Sequence, residues 1–244
     1  MTPLKYLPLL LVAALPVQAA TISQWNFNST SSDASLTTGT TTPSVGSGTA
    51  SLLGTVTGAF GSGSANGGSS DPAASTDDTG WQTTTYAGAT TGDLTAGVQF
   101  LVNTTGYQNI TINYDLRHSN TSSRYEAVQY TLNGNDWTTA GFFTGAAGDT
   151  WFNVRSIDLS SIAGADNNAN FGIRIVAAFE STATGSGTAG YVASNTGSSY
   201  AATGTWRFDM ATVSGTAIVP EPSAAALGGL GILGLLRRRR ASLK

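Results

Sequence analysis

The chain has one histidine, no cysteine and fourteen acidic residues in 244, so few catalytic chemistries are open to it. His118 sits in the run Asp115-Leu116-Arg117-His118-Ser119-Asn120. A Ser-His-Asp set needs an imidazole held by hydrogen bonds to both other members. Ser and Asp are so abundant here that nearness in sequence defines no such set, and His118 is expected on a surface loop at a strand end. The lack of Cys excludes thiol nucleophiles and Cys-ligated zinc. One histidine is too few for a zinc site built on several His ligands.

The carboxylates come next. Asp115, Arg117, Arg124 and Glu126 flank one short loop, and the expected arrangement is a set of surface ion pairs across neighbouring strands. The functional counterpart is a sugar-binding patch with Tyr125 as a stacking platform. Glycoside hydrolysis needs two carboxylates about 5 to 9.5 Å apart across a cleft. Glu126, Glu180 and the aspartates could supply them, but no spacing pairs them. Asp166-Asn167-Asn168-Ala169-Asn170 offers oxygens of the kind calcium takes, yet Asn and Asp also cap turns through their own backbones. Asn26 and Asp209, on the first and last strands, are the expected metal pair, clasping a calcium ion. No other cofactor is expected, and no catalytic residue is assigned.

These side chains must be positioned by strands. Thr21-Ile22-Ser23-Gln24-Trp25-Asn26-Phe27 alternates, with Trp25 and Phe27 on one face. Residues 28–97 are rich in Ser, Thr, Gly, Ala and Asp. They read as loop or weakly ordered chain, except for a strand within Ala50 to Phe60. The Thr-rich run at residues 37–42 has no regular period of the kind an ice-binding face needs. From Gly97 the alternation sharpens: Val98 to Val102, Tyr107 to Arg117, Arg124 to Leu132, Trp137 to Phe143, Trp151 to Leu159, Phe171 to Phe179 and Thr205 to Val213. Asn133-Gly134 marks a tight turn. Residues 181–204 read as a Gly/Ser-rich loop. About nine strands without a helical period predict an all-β antiparallel sandwich, jelly-roll-like, with the first and last strands together. Trp25, Phe27, Ile112, Tyr114, Tyr130, Ile173, Ile175, Trp206 and Phe208 should fill its core.

Charge limits the partners. Between the ends, Arg117, Arg124, Arg155, Arg174 and Arg207 face thirteen acids, a balance of −8 for residues 21–218. Nucleic acid is excluded as a partner, because phosphate binding needs clustered Lys and Arg.

The ends carry an address. MTPLKYLPLLLVAALPVQAA has a positive Lys5, an apolar stretch and small residues before a cleavage point, the layout of a secretory signal peptide over residues 1–20. Its signal helix and a short C-terminal hydrophobic helix are the expected helices. The chain closes with VPEPSAAALGGLGILGLLRRRRASLK. Ser223–Leu236 as a helix is roughly 21 Å long, against a hydrocarbon core of about 30 Å. It spans only by thinning the bilayer, with Arg237, Arg238, Arg239 and Arg240 held on the cytoplasmic side as a stop-transfer signal.

Val219-Pro220-Glu221-Pro222, the apolar helix and the arginine cluster, together residues 219–244, resemble the PEP-CTERM sorting signal of Gram-negative bacteria. A tail of this kind is also called an ice-binding protein C-terminal domain, a name that implies nothing about ice here. The resemblance implies export through the general secretion machinery and a precursor anchored in the inner membrane. An exosortase would then cut near Pro-Glu-Pro, leaving the body at the cell surface or released outside. The body, residues 21–218, resembles exported bacterial jelly-roll domains similar to carbohydrate-binding modules. Trp25-Asn26-Phe27, Tyr114-Asp115-Leu116-Arg117, Asn133-Gly134 and Trp206-Arg207-Phe208-Asp209 carry that likeness. It transfers no ligand-binding residue. The expectation is a non-enzymatic surface or matrix protein that binds polysaccharide or envelope components, and the alternative is a glycan-active hydrolase or lyase.

Overall fold

The computed structural model describes residues 18–218. The signal helix, the sorting motif Val219 to Pro222, the hydrophobic run and the arginine cluster lie outside the described residues, except for the end of the leader. Among the described residues no helix is long and apolar enough to cross a membrane.

Two antiparallel sheets pack face to face. The larger contains β1 (Ala19–Trp25), β2 (Val45–Gly46), β4 (Thr57–Ser62), β5 (Thr79–Thr84), β7 (Tyr107–His118), β10 (Thr150–Asp158) and β12 (Trp206–Ala217). Its main path runs β10-β7-β12-β1-β2, with β5 also on β12 and β4 on β5. The smaller contains β3 (Thr49–Leu53), β6 (Gly97–Leu101), β8 (Tyr125–Thr131), β9 (Thr138–Thr144) and β11 (Gly172–Ala178), in the order β3-β6-β11-β8-β9. The only α-helix among the described residues is α1 (Glu180–Thr184), a single turn closed by Gly185 at φ 74°.

The core lies where the alternation places it. Ile110, Ile112, Tyr114 and Leu116 of β7 and Trp206, Phe208 and Val213 of β12 are fully buried. They face Val98, Phe100, Val128, Ile173 and Ile175 of the smaller sheet, also fully buried. Each such side chain contributes about 1.5–3 kcal/mol by burial, which is how a domain without disulfides holds. Of the expected core, only Tyr130 is partly exposed. First and last strands pair as expected: Trp25 is the Cα partner of Ala211, and its ring lies 4.9 Å from that of Phe100 on the opposite sheet.

Two expectations change, and β1 begins within the last residues of the expected leader. Residues 28–97 hold β2, β3, β4 and β5 as well as the loops between them. Their outer positions carry Gly, Ser and Thr, so the polar–apolar contrast that reveals a strand is missing. Ala50 to Phe60 is two strands on different sheets, since β3 pairs with β6 and β4 with β5. The 1–20 leader overlaps β1, whose Ala19 and Ala20 pair with Thr216 and Gly215.

One irregularity shapes the larger sheet. Met210 takes φ 47°, and the β12–β7 register shifts between Asp209 and Thr212. This bulge re-aims the strand. Before it, Trp206 to Phe208 pair with β5, and after it, Ala211 to Thr216 pair with β1. The sheet is therefore split beside Asp209, where β1 leaves and β5 enters.

Candidate functional site

His118 is not on a surface loop. It is the last residue of β7 and is fully buried, with its ring 5.4 Å from that of Trp206. Its Nδ1 pairs with the Ser123 carbonyl at 2.9 Å, and its Nε2 lies 3.1 Å from Glu126 Oε2. Arg155 Nε lies 2.6 Å from Glu126 Oε1, and the Tyr114 hydroxyl donates to the same oxygen at 3.3 Å. Burial pushes the Tyr114 phenol well above its ordinary pKa, and the Glu126 charge adds to this. Glu126 belongs to the smaller sheet and the other three to the larger, so a buried cluster spans the two layers, with His118 Nε2, Glu126 Oε2 and Arg155 Nε close together but not aligned as hydrogen bonds.

The expected surface ion pairs do not form. Glu126 and Asp115 are buried. Asp115 accepts from the Ser70 and Val154 amides at 2.5 and 2.6 Å. Arg117 pairs with Asp149, and Arg124 Nε donates to the Ala193 carbonyl at 3.0 Å. Alternation separates these residues: Glu126 points between the sheets, whereas Asp115 and Arg117 point to the far side of the larger sheet, beneath an overlying loop. Tyr125 packs partly buried beside Ala127, Val176 and Ala178. In the Asp166–Asn170 loop the two amide oxygens at Asn167 and Asn168 are taken up by backbone amides, while Asp166 Oδ1 is buried without a hydrogen-bond partner. Asn167 Oδ1 accepts from Gly106 N at 2.9 Å, and Asn168 Oδ1 from Asn170 N at 2.7 Å. Glu180 accepts from the Thr188 amide at 2.8 Å.

The two members of the expected metal pair have different neighbours. Asn26 lines a polar hollow of about 330 Å³ with Ser29, Thr40 and Thr42. Asp209 lies buried beside Asp71 and Asp78, with one oxygen of each carboxylate within 4.8 Å of the others. Asn28, not Asn26, reaches this group, donating from Nδ2 to Asp71 Oδ2 at 2.8 Å. Asp71, Asp78 and Asp209 are the residues that could hold a metal. Sequence reading missed Asp71 and Asp78 because they lie in the Ser/Gly-rich stretch. The one available signal was acids recurring in an otherwise uncharged run.

The outer face of the smaller sheet carries a second arrangement, absent from the sequence reading. Ser51, Gln99, Arg174, Gln129 and Thr139 are successive Cα partners across its five strands. They form one polar row, about 19 Å wide at about 4.8 Å per strand. Arg174 Nε donates to Gln129 Oε1 at 2.5 Å, and Gln129 Nε2 donates to Thr139 Oγ1 at 2.9 Å. The Arg174 guanidinium lies 4.7 Å over the Trp137 ring. Burial lowers its pKa, and among the described residues it has no carboxylate partner. Its terminal nitrogens make no hydrogen bond within the described chain. Exposed Leu101 and Phe142 stand in the flanking rows. A shallow hollow of about 200 Å³, lined by Tyr130, Leu132 and Asp136, lies at the β8–β9 turn.

No protein-family model matches this chain, and no curated protein matches its sequence. Solved structures with a similar layout exist. The CBM22-1 and GH10 modules of Clostridium thermocellum endo-1,4-β-D-xylanase 10B, complexed with xylohexaose, match 71% of this chain at 10% identity and a TM-score of 0.43. The CBM22 tandem domain of Paenibacillus barcinonensis Xyn10C matches 86% at 12% identity and 0.44. The K1 cleaved adhesin domain of Porphyromonas gingivalis Lys-gingipain matches 71% at 14% identity and 0.35, over all of its own length. The chain spans 27% and 49% of the two xylanase chains. The functional reading rests on this chain's own residues.

Proposed function

We propose that this is an exported, non-enzymatic surface or matrix protein. Its jelly-roll-like body binds polysaccharide with the outer face of the five-stranded sheet. The observation that carries the reading is Arg174: a half-buried cation laid on Trp137, bonded to an amide and not to a carboxylate. Guanidinium and amide groups in a row donate to and accept from hydroxyls. An aromatic face beside them covers the apolar face of a sugar ring, as Trp does where one end of a ligand is apolar and the other wet. The carboxylates favour a binder over a hydrolase. Glu126 is sealed between the sheets and Asp209 lies under a loop, whereas glycoside hydrolysis needs two carboxylates open to one cleft.

The same reading has the precursor pass through the secretion machinery, pause in the inner membrane by Ser223–Leu236, and meet an exosortase at Val219-Pro220-Glu221-Pro222. Affinity electrophoresis against a panel of neutral and acidic polysaccharides tests the binding. At least one polymer should retard the wild-type body. Arg174→Ala and Trp137→Ala should abolish the retardation without lowering the melting temperature. Equal retardation of all three proteins, or none on any polymer, would refute the assigned face.

A further inference from the structure

We propose that Asp71, Asp78 and Asp209 bind a calcium ion that pins the 62–78 segment onto the outer face of the larger sheet. This site is separate from the polysaccharide face and does not depend on that reading.

Three features converge on a cation. The first is the charge itself. Asp209 is the Cα partner of Asp115 across β12 and β7, and like charges directly opposite are destabilising. Asp78 and Asp71 are added from the overlying segment. No arginine among the described residues neutralises this group. Arg117 goes to Asp149, and Arg207 donates to the Ser62 carbonyl and to Gln82 Oε1.

The second feature is unmet valence. Asp209 is fully buried and Asp78 is 3% exposed, yet Asp209 Oδ2 and Asp78 Oδ1 have no hydrogen-bond partner. An unpaired buried carboxylate oxygen costs more than a neutral group left the same way. The two oxygens converge on one spot. A Cβ on Gly63 would overlap Asp78 Oδ1 and lie 3.0 Å from Asp209 Oδ2. Burial, and then the neighbouring Asp71 charge, raise the pKa of both groups, Asp78 to about 6.

The third feature is preorganisation. The Met210 bulge turns Asp209 into the split between β1 and β5, and the Met210 amide holds Asp209 Oδ1 at 2.7 Å. Asn28 bridges the same split, accepting from Thr79 N at 2.7 Å while donating to Asp71 Oδ2. The Ala73 amide fixes Asp71 Oδ1 at 2.9 Å. The segment is already tied down at its far end, where Trp151 Nε1 donates to the Ala65 carbonyl at 2.8 Å and Asn153 Nδ2 to that of Gly68 at 3.0 Å.

All-oxygen, carboxylate-rich ligands select a hard divalent cation. Calcium takes oxygens at about 2.3–2.6 Å and completes its six to eight ligands with carbonyls and water. Oxygens up to 4.8 Å apart can lie on either side of it. Magnesium, with ligands at about 2.0–2.1 Å, would require them to close in.

The test uses chelator-treated full-length protein titrated with calcium chloride alone, followed by calorimetry, thermal melting and tryptophan emission. One ion per chain should bind, the melting temperature should rise by several degrees, and emission should change through Trp151. Asp209→Asn keeps the shape and removes a buried charge, so its metal-free form should fold at least as well as metal-free wild type. It should bind calcium at least ten-fold more weakly and lose most of the melting shift. Asp158→Asn, at the exposed end of β10, should behave as wild type. A Trp151→Phe variant should still bind calcium and lose the emission change. Absence of calcium heat together with an unchanged melting temperature, or a full calcium response in Asp209→Asn, would overturn the site.

Discussion

His118 Nε2 on the larger sheet lies 3.1 Å from Glu126 Oε2 on the smaller, and both side chains are fully buried. The glutamate thus serves both layers of the sandwich, with Arg155 and Tyr114 on its other oxygen. A buried charge set of this kind is costly to assemble and more costly to break.

Removing the centre of that network should therefore be severe. Glu126→Ala removes the buried carboxylate beside Arg155 and His118 and should cost about 3–5 kcal/mol, measured by urea unfolding. Gly145→Val tests the lid of the same pocket, because a Cβ at Gly145 would come within 2.5 Å of the His118 ring. Loss of less than about 1 kcal/mol in both variants would show that the network contributes little.

The first strand should be indispensable. Truncation to Ser29 removes the β1–β12 ladder and the buried Trp25 and Phe27. Each of those side chains contributes about 1.5–3 kcal/mol. The long connection after β1 does not weaken the case, since closure entropy grows only with the logarithm of loop length. Circular dichroism of the truncated chain should show no cooperative melt.

Calcium-free protein should lose stability as pH rises. Burial first, then the Asp71 charge and, more weakly, that of Asp115 push Asp78 up to about 6. A folded pKa above the unfolded value means that the folded state binds the proton more readily. The stability so gained is complete below about pH 4 and is lost as pH rises through 6. Asp209 shifts in the same direction. The exposed Asp33, Asp158 and Glu180 shift the opposite way, but solvent screens them. In excess chelator the melting temperature should fall between pH 4.5 and 7 in wild type and fall less in Asp78→Asn. A flat wild-type profile would contradict the shift.

Processing at the tail is tested by intact mass. Protein exported by its native host should lack the residues after about Pro222. Recovery of most of it with Arg237 to Arg240 intact would exclude the sorting reading.

Much of the sandwich was legible because strand alternation is a local property. Ile110, Ile112, Tyr114 and Leu116 declare one face of β7 within seven residues, and burial follows from that period. The same rule failed across residues 28–97. There Gly58, Gly61 and Gly80 give way to the Trp81 and Arg207 side chains, and strands made of small residues show no contrast to read. The charged residues misled for a related reason. Alternation gives the sides of Asp115 and Glu126 relative to their neighbours, but it does not say that one side is roofed by residues 62–78 and the other closed by a second sheet. By itself the sequence determined a β-sandwich without disulfides, with its first strand paired to its last. Only the tertiary structure decided which carboxylates meet. Asn28, Asp71, Asp78 and Asp209 come together because a one-residue bulge at Met210 splits the sheet. Contacts across such a split depend on the path of the whole chain and leave no periodic trace in it.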